Sequence, residues 1–188
     1  MSFYSLVFKI LGWKVDKTSL EKDKNSFPEK YLLLCEPHTS NWDFIYGLIA
    51  MKILKIHIRF VIKKEIMIWP LSIILKSLGA IPIDRKKQNN HESNVDIICK
   101  AINNMSSGAI CISPKGTRSK TDRYKTGFFY IAKNTNIPVC MCYIDYKTKE
   151  IGLSDFYYVK DDVNIEIQKL HDFFDKRTPK YVDKAISR

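Results

Sequence analysis

With 188 residues, 45% of them hydrophobic and 27% charged, the chain has the make-up of one folded soluble domain with a real core, not of a disordered chain. Lys and Arg number 31 against 20 Asp and Glu, and a formal charge of +11 asks for an anionic partner: nucleic acid, a phosphate-bearing substrate or an acidic membrane. Cysteines 35, 99, 111, 140 and 142 all sit in apolar runs and read as reduced core thiols, and no paired metal-ligand spacing links them or the four histidines.

Residues 2–13 are apolar and helical, ending at Gly12, and fall short of the roughly 20 residues a membrane span needs. They read either as an interfacial anchor with Trp13 at headgroup level or as a helix packed on the domain. The start lacks the basic region and small-residue cleavage site of a signal peptide. After a polar loop over 16–30, Tyr31–Cys35 reads as a buried strand ended by Pro37. Ser40 then caps a helix that runs to about Lys55, with Ile45, Leu48, Ile49 and Ile53 on one face and Asp43 completing a variant capping box.

Ile58–Ile62 is a short strand, and Trp69–Leu78 a helix with Pro70 in its first turn and Gly79 as its stop. The stretch 66–83 is strongly apolar but interrupted by Pro70, Lys76 and Pro82, so it reads as buried or membrane-facing, not spanning. Ala80–Ile83 is a strand leading into Asp84-Arg85, and the polar segment 86–92 reads as mobile. A helix over Ser93–Met105, a strand Ala109–Ile112 opened by Gly108, a loop 113–126 and a short helix Phe128–Lys133 follow. The strand 137–145 places Cys140 and Cys142 on one face; a hairpin-like return at 150–158 and an amphipathic helix 163–174 close the domain. Alternating strands and helices predict an α/β fold, a single domain with a mixed sheet flanked by helices.

Four features stand at strand ends or strand starts. His38 lies in a strand-to-helix turn with Asp43 in the first helical turn, close enough to act as a base and its orienter, although a loop histidine beside a capping aspartate has the same pattern. Gly79–Arg85 puts an acid and a base at a strand end, where open α/β sheets bind ligands. In the loop from Pro114, Gly116 allows close backbone approach, Thr117 offers a hydroxyl and Arg118 a bidentate fork for phosphate, amid Lys115, Lys120, Arg123 and Lys125. The fourth feature, Ile137-Pro138-Val139, carries meaning only beside the others.

In this order the four blocks resemble the signature of the glycerolipid acyltransferases, most of all bacterial 1-acylglycerol-3-phosphate (lysophosphatidate) acyltransferases and their small relatives. The resemblance covers residues 35–139: His38 with Asp43, Gly79 to Arg85, Lys115 to Arg118, and Pro138. One position departs: the family's third block begins with Glu, and Lys115 stands there.

The resemblance implies a glycerolphosphate-acyltransferase-like fold and transfer of a fatty acyl group from acyl-coenzyme A or acyl carrier protein to a lysophosphatidate-like hydroxyl, in phospholipid biosynthesis. His38 and Asp43 would be catalytic; Arg85, Lys115, Gly116, Thr117 and Arg118 would bind substrate. No metal or redox cofactor is expected, and the anionic partner becomes a membrane surface on the cytoplasmic side, with the protein peripheral to it. Two covalent alternatives flank His38: Cys35, whose apolar strand disfavours a thiolate, and Ser40, better explained as the cap. The charge also fits nucleic acid, but no recognised binding pattern appears and the basic residues are spread along the chain. A family member disabled by Lys115 that only binds lipid, or one using another acceptor, completes the alternatives.

Overall fold

The computed structural model describes residues 2–18, 27–84 and 93–186. Arg85, the segment 86–92 and part of the loop 16–30 fall outside the described residues. In chain order the elements are α1 (Phe3–Ile10), β1 (Lys14–Val15), β2 (Lys30–Glu36), α2 (Asn41–Leu54), β3 (Ile58–Lys63), α3 (Leu71–Ser77), β4 (Ala80–Ile83), α4 (Asn94–Asn103), β5 (Gly108–Ile112), α5 (Gly127–Thr135), β6 (Val139–Asp145), β7 (Glu150–Leu153) and α6 (Val163–Phe174). Among the described residues the strands form one sheet in the order β1-β7-β6-β2-β5-β3-β4. All pairings are parallel except β6 with β7, so the sheet is mixed, as the alternation of elements predicts.

β2 is the centre of the sheet because its side chains are apolar on both faces, as a strand covered by helices on each side requires. Leu32, Leu33 and Leu34 are fully buried, each contributing about 2 kcal/mol. Leu32 and Leu34 join Phe128, Ile131 and Ala132 of α5 and Ile98 and Ile102 of α4 in one core. Tyr31 and Leu33 join Ala50 and Met51 of α2, Phe8 of α1, and both Cys140 and Cys142 in the other. Thus α2, which leaves β2, and α5, which leaves the adjacent β5, cover opposite faces. The loops after β2 and β5 diverge above that pair, and such a divergence at strand carboxyl ends makes a ligand crevice.

Local signals set most element ends. Gly79 adopts φ +93°, and a Cβ there would lie 2.8 Å from the Ile58 carbonyl oxygen, so the turn from α3 into β4 requires glycine. Ser93 and Asp96 form a capping box at the start of α4. Three positions shift or sharpen what the sequence implies. Ile45 is exposed, because α2 is apolar nearly all round and its spacing does not choose one face. Trp13 is buried, stacked 4.5 Å from Tyr46 and edge-on to Tyr146 at 5.1 Å, so its ring packs on the domain. Pro70 sits at the N-cap of α3, one place before its expected position in the first turn.

Candidate active site

The centre of the site is the turn between β2 and α2. Ser40 has extended dihedrals and caps α2 in a reciprocal capping box with Asp43. The carboxylate does two jobs at once. Its Oδ2 accepts the backbone N–H groups of Thr39 and Ser40, each at 2.7 Å, and also faces His38 Nδ1 at 3.4 Å. With two short bonds already on that oxygen, the contact to the imidazole is long. Its Oδ1 accepts the hydroxyl of Tyr146, just past β6, at 2.6 Å. Burial pushes the Asp43 carboxyl up, but the bonds from His38, Tyr146, Ser40 and Thr39 outweigh it and hold the group below its ordinary range. A carboxylate held in its charged form on Nδ1 favours the tautomer that carries its proton there and leaves the Nε2 lone pair free.

A second carboxylate lies on the other side of the same turn. Glu36, the last residue of β2, accepts the His38 N–H at 2.7 Å on Oε2. Its Oε1 accepts the Ser113 hydroxyl at 2.5 Å and the Lys115 N–H at 3.2 Å. Burial is the dominant influence and raises the Glu36 carboxyl in spite of Ser113, His38 and Lys115. This residue was not singled out from the sequence. A carboxylate closing an otherwise apolar strand, at the carboxyl end where ligands bind, was the signal that could have found it. Tyr146 had no such signal, since it reaches Asp43 across 103 positions.

The loop after β5 divides into an inward and an outward part. Lys115 points inward: its side chain is buried and its Nζ donates to the carbonyl oxygens of His38, at 3.4 Å, and Lys184. The ammonium of Lys115, expected among the substrate-binding groups, is thus turned onto main-chain carbonyls. Burial lowers the Lys115 ammonium, with Glu36 and Asp43 opposing that shift. Gly116, at φ +69°, has its N–H on the Ser113 carbonyl at 2.9 Å, and a Cβ there would press on the Lys125 side chain at 3.1 Å. Thr117 is half-buried and Arg118 is exposed. Asp84 follows β4 directly, and Arg85 lies outside the described residues.

Residues 178–186 strap across these loops. The Thr178 carbonyl accepts the Tyr146 N–H at 2.8 Å, the Tyr181 N–H donates to Thr39 Oγ1 at 3.3 Å, and Ile186 bridges to Thr121. Beneath the turn, a cavity of about 130 Å³ starts at His38 and Asp43 and runs between α2 and the sheet. Leu33, Leu48, Met51, Ile58 and Phe60 line it, as does Gly47, where a Cβ would meet nothing within 4 Å. Cys35, Cys111 and Cys142 also line it. Hydrogen bonds from Cys111 and Cys142, then burial, push the Cys35 thiol well up, away from the thiolate form a nucleophile needs.

A base with a fixed partner, at the mouth of an apolar cavity and beside a glycine-turned basic loop, has the parts for deprotonating a hydroxyl next to a fatty chain. No curated protein matches the chain. The family model described as Acyltransferase matches residues 17–145, which includes all four blocks and the strands that carry them. The chain belongs to that family, the glycerolipid acyltransferases.

Proposed function

We propose that this acyltransferase moves a fatty acyl group from a thioester, acyl-coenzyme A or acyl carrier protein, to the hydroxyl of a lysophosphatidate-like glycerolipid, as a step of phospholipid synthesis. The observation that carries the reading is the apolar cavity opening at a histidine whose Nδ1 faces a buried, charged Asp43. His38 Nε2 takes the acceptor's proton as the hydroxyl oxygen attacks the thioester carbonyl carbon. The tetrahedral intermediate collapses with cleavage of the C–S bond, and the departing thiolate takes the proton back from the imidazolium. In the turn, the N–H groups of His38, Thr39, Ser40 and Trp42 are taken by side-chain oxygens, which leaves the Asn41 N–H at the helix start for the oxyanion. The raised Cys35 thiol and the engaged Ser40 Oγ favour this direct transfer over an acyl-enzyme.

Arg118, with Gly116 and Thr117, takes the acceptor's phosphate, and Arg85 belongs to the same proposal. Work on such substrates places the protein on an anionic membrane surface, peripheral and on the cytoplasmic side. Among the described residues no helix is long and apolar enough to cross a membrane. Ile68, Trp69, Ile73 and Ile74 are nonetheless exposed around α3, Trp69 by 81%, with the exposed Lys63, Lys64 and Lys76 beside them. An apolar patch rimmed by lysines suits a lipid interface, where each lysine contributes about 1 kcal/mol.

The test is turnover of long-chain acyl-coenzyme A with lysophosphatidate in detergent, followed as thiol release and diacyl product. His38→Ala is expected to abolish it, with kcat down about 10³-fold. Gly47→Leu fills the cavity and is expected to move the preferred acyl chain to a shorter length. Lipid binding without turnover, on any lysophospholipid acceptor, would make the chain a binding member of its family instead.

A further inference from the structure

Both peptide groups of His38 are held by charged, buried side chains. Glu36 Oε2 accepts the His38 N–H at 2.7 Å, and Lys115 Nζ donates to the His38 carbonyl oxygen at 3.4 Å. Neither charge is available to solvent, with Glu36 3% and Lys115 1% exposed. The two are also joined directly, since the Lys115 N–H donates to Glu36 Oε1. The two charges also attract each other through space, so removing one takes away part of what offsets the burial of the other. Position 115 is also the one place where this chain carries a positive charge against the negative charge of the pattern it resembles.

We propose that Glu36 and Lys115 are a reciprocal pair of positioning residues. Glu36 supplies from the end of β2 the carboxylate that the pattern supplies from position 115, and the pair clamps the His38 backbone from both sides. Lys115 is then neither a defect nor a substrate ligand. Its ammonium ties His38 to the Lys184 carbonyl, and its own N–H and the Ser113 hydroxyl tie the basic loop to Glu36. The imidazole keeps its line to Asp43 because its peptide cannot rotate.

The kinetic arm of the test rests on the acyl-transfer reading; a second arm does not. Lys115→Glu alone places two carboxylates in one buried site, and kcat is expected to fall at least tenfold with the KM for thioester within about twofold. Adding Glu36→Ala to Lys115→Glu is expected to recover at least fivefold of that loss. A Lys115→Glu variant as active as the parent, or a double variant no better than the single, would overturn the pairing. In the second arm, amide hydrogen exchange is measured on the parent and on Glu36→Ala. The His38 N–H is expected to exchange at least tenfold faster in the variant while the Leu33 N–H in β2 is unchanged. Unaltered His38 exchange in a folded Glu36→Ala protein would sink the proposal. A parent without turnover on any acceptor removes the functional reading, and the exchange arm then decides this one alone.

Discussion

Asp43 and Glu36 are two buried carboxylates on either side of one histidine, and their environments drive them in opposite directions. Asp43 sits in the first turn of α2, where the helix N-terminus favours negative charge, and two backbone N–H groups, a phenol and an imidazole point at it. Glu36 ends a strand, has no helix behind it, and receives a hydroxyl and two N–H groups in a place where burial is the larger influence. Burial alone therefore does not decide a carboxylate's state; the donors aimed at it do. Asp43 is a fixed negative charge that orients the imidazole's ring. Glu36 is a charge held against its preference, and it fixes the imidazole's backbone.

The largest effect that would break this contrast is Asp43→Asn. It removes the charge that stabilises the imidazolium, and kcat is expected to drop about 10² to 10³-fold, read in steady-state turnover with KM nearly constant. Glu36→Gln keeps an acceptor oxygen at the His38 N–H, so its expected loss is smaller, about tenfold. An equal or larger loss than in Asp43→Asn would reverse the ranking. Tyr146→Phe removes one hydroxyl from Asp43 Oδ1 and is expected to lower unfolding stability by about 1.5 kcal/mol in denaturant titrations.

The smallest effect is the most discriminating. Asp43 has a depressed folded value, so its contribution to stability is complete above the ordinary aspartate value of about 3.9 and disappears as pH falls through the lower folded value. Glu36 has a raised folded value: its ionised form costs stability above that value, and the cost vanishes below the ordinary glutamate value of about 4.3. Measured by denaturation between pH about 3 and 7, the stability deficit of Asp43→Asn is expected to grow as pH rises, and that of Glu36→Gln to shrink. Parallel slopes would mean that the two sites do not differ as described.

The turn itself was legible because its signals are local. Ser40 and Asp43 form a capping box three residues apart, and Pro37 and the apolar run before it mark the strand end. The contest between capping and orienting had no winner, since one oxygen of Asp43 does both. What the sequence hid were long-range directions. Lys115 looks like one more cation in a basic loop until the sheet places it under His38, 77 positions away. The α/β alternation, the antiparallel return after β6 and the limits of α6 at Val163–Phe174 followed from periodicity and turn residues. The two-residue β1 did not, being too short for any pattern to register.

The strap at 178–186 gives assembly a fixed order in time. Its bond from Tyr181 to Thr39 spans 142 positions, and its Lys184 carbonyl is the far anchor of Lys115. Chains leave the ribosome at about 5–20 residues per second. The sheet, the cavity and His38 are therefore all synthesised seconds before the segment that locks them. Until that segment emerges, the turn that carries His38 lacks the contacts that Tyr181 and Lys184 make to Thr39 and Lys115.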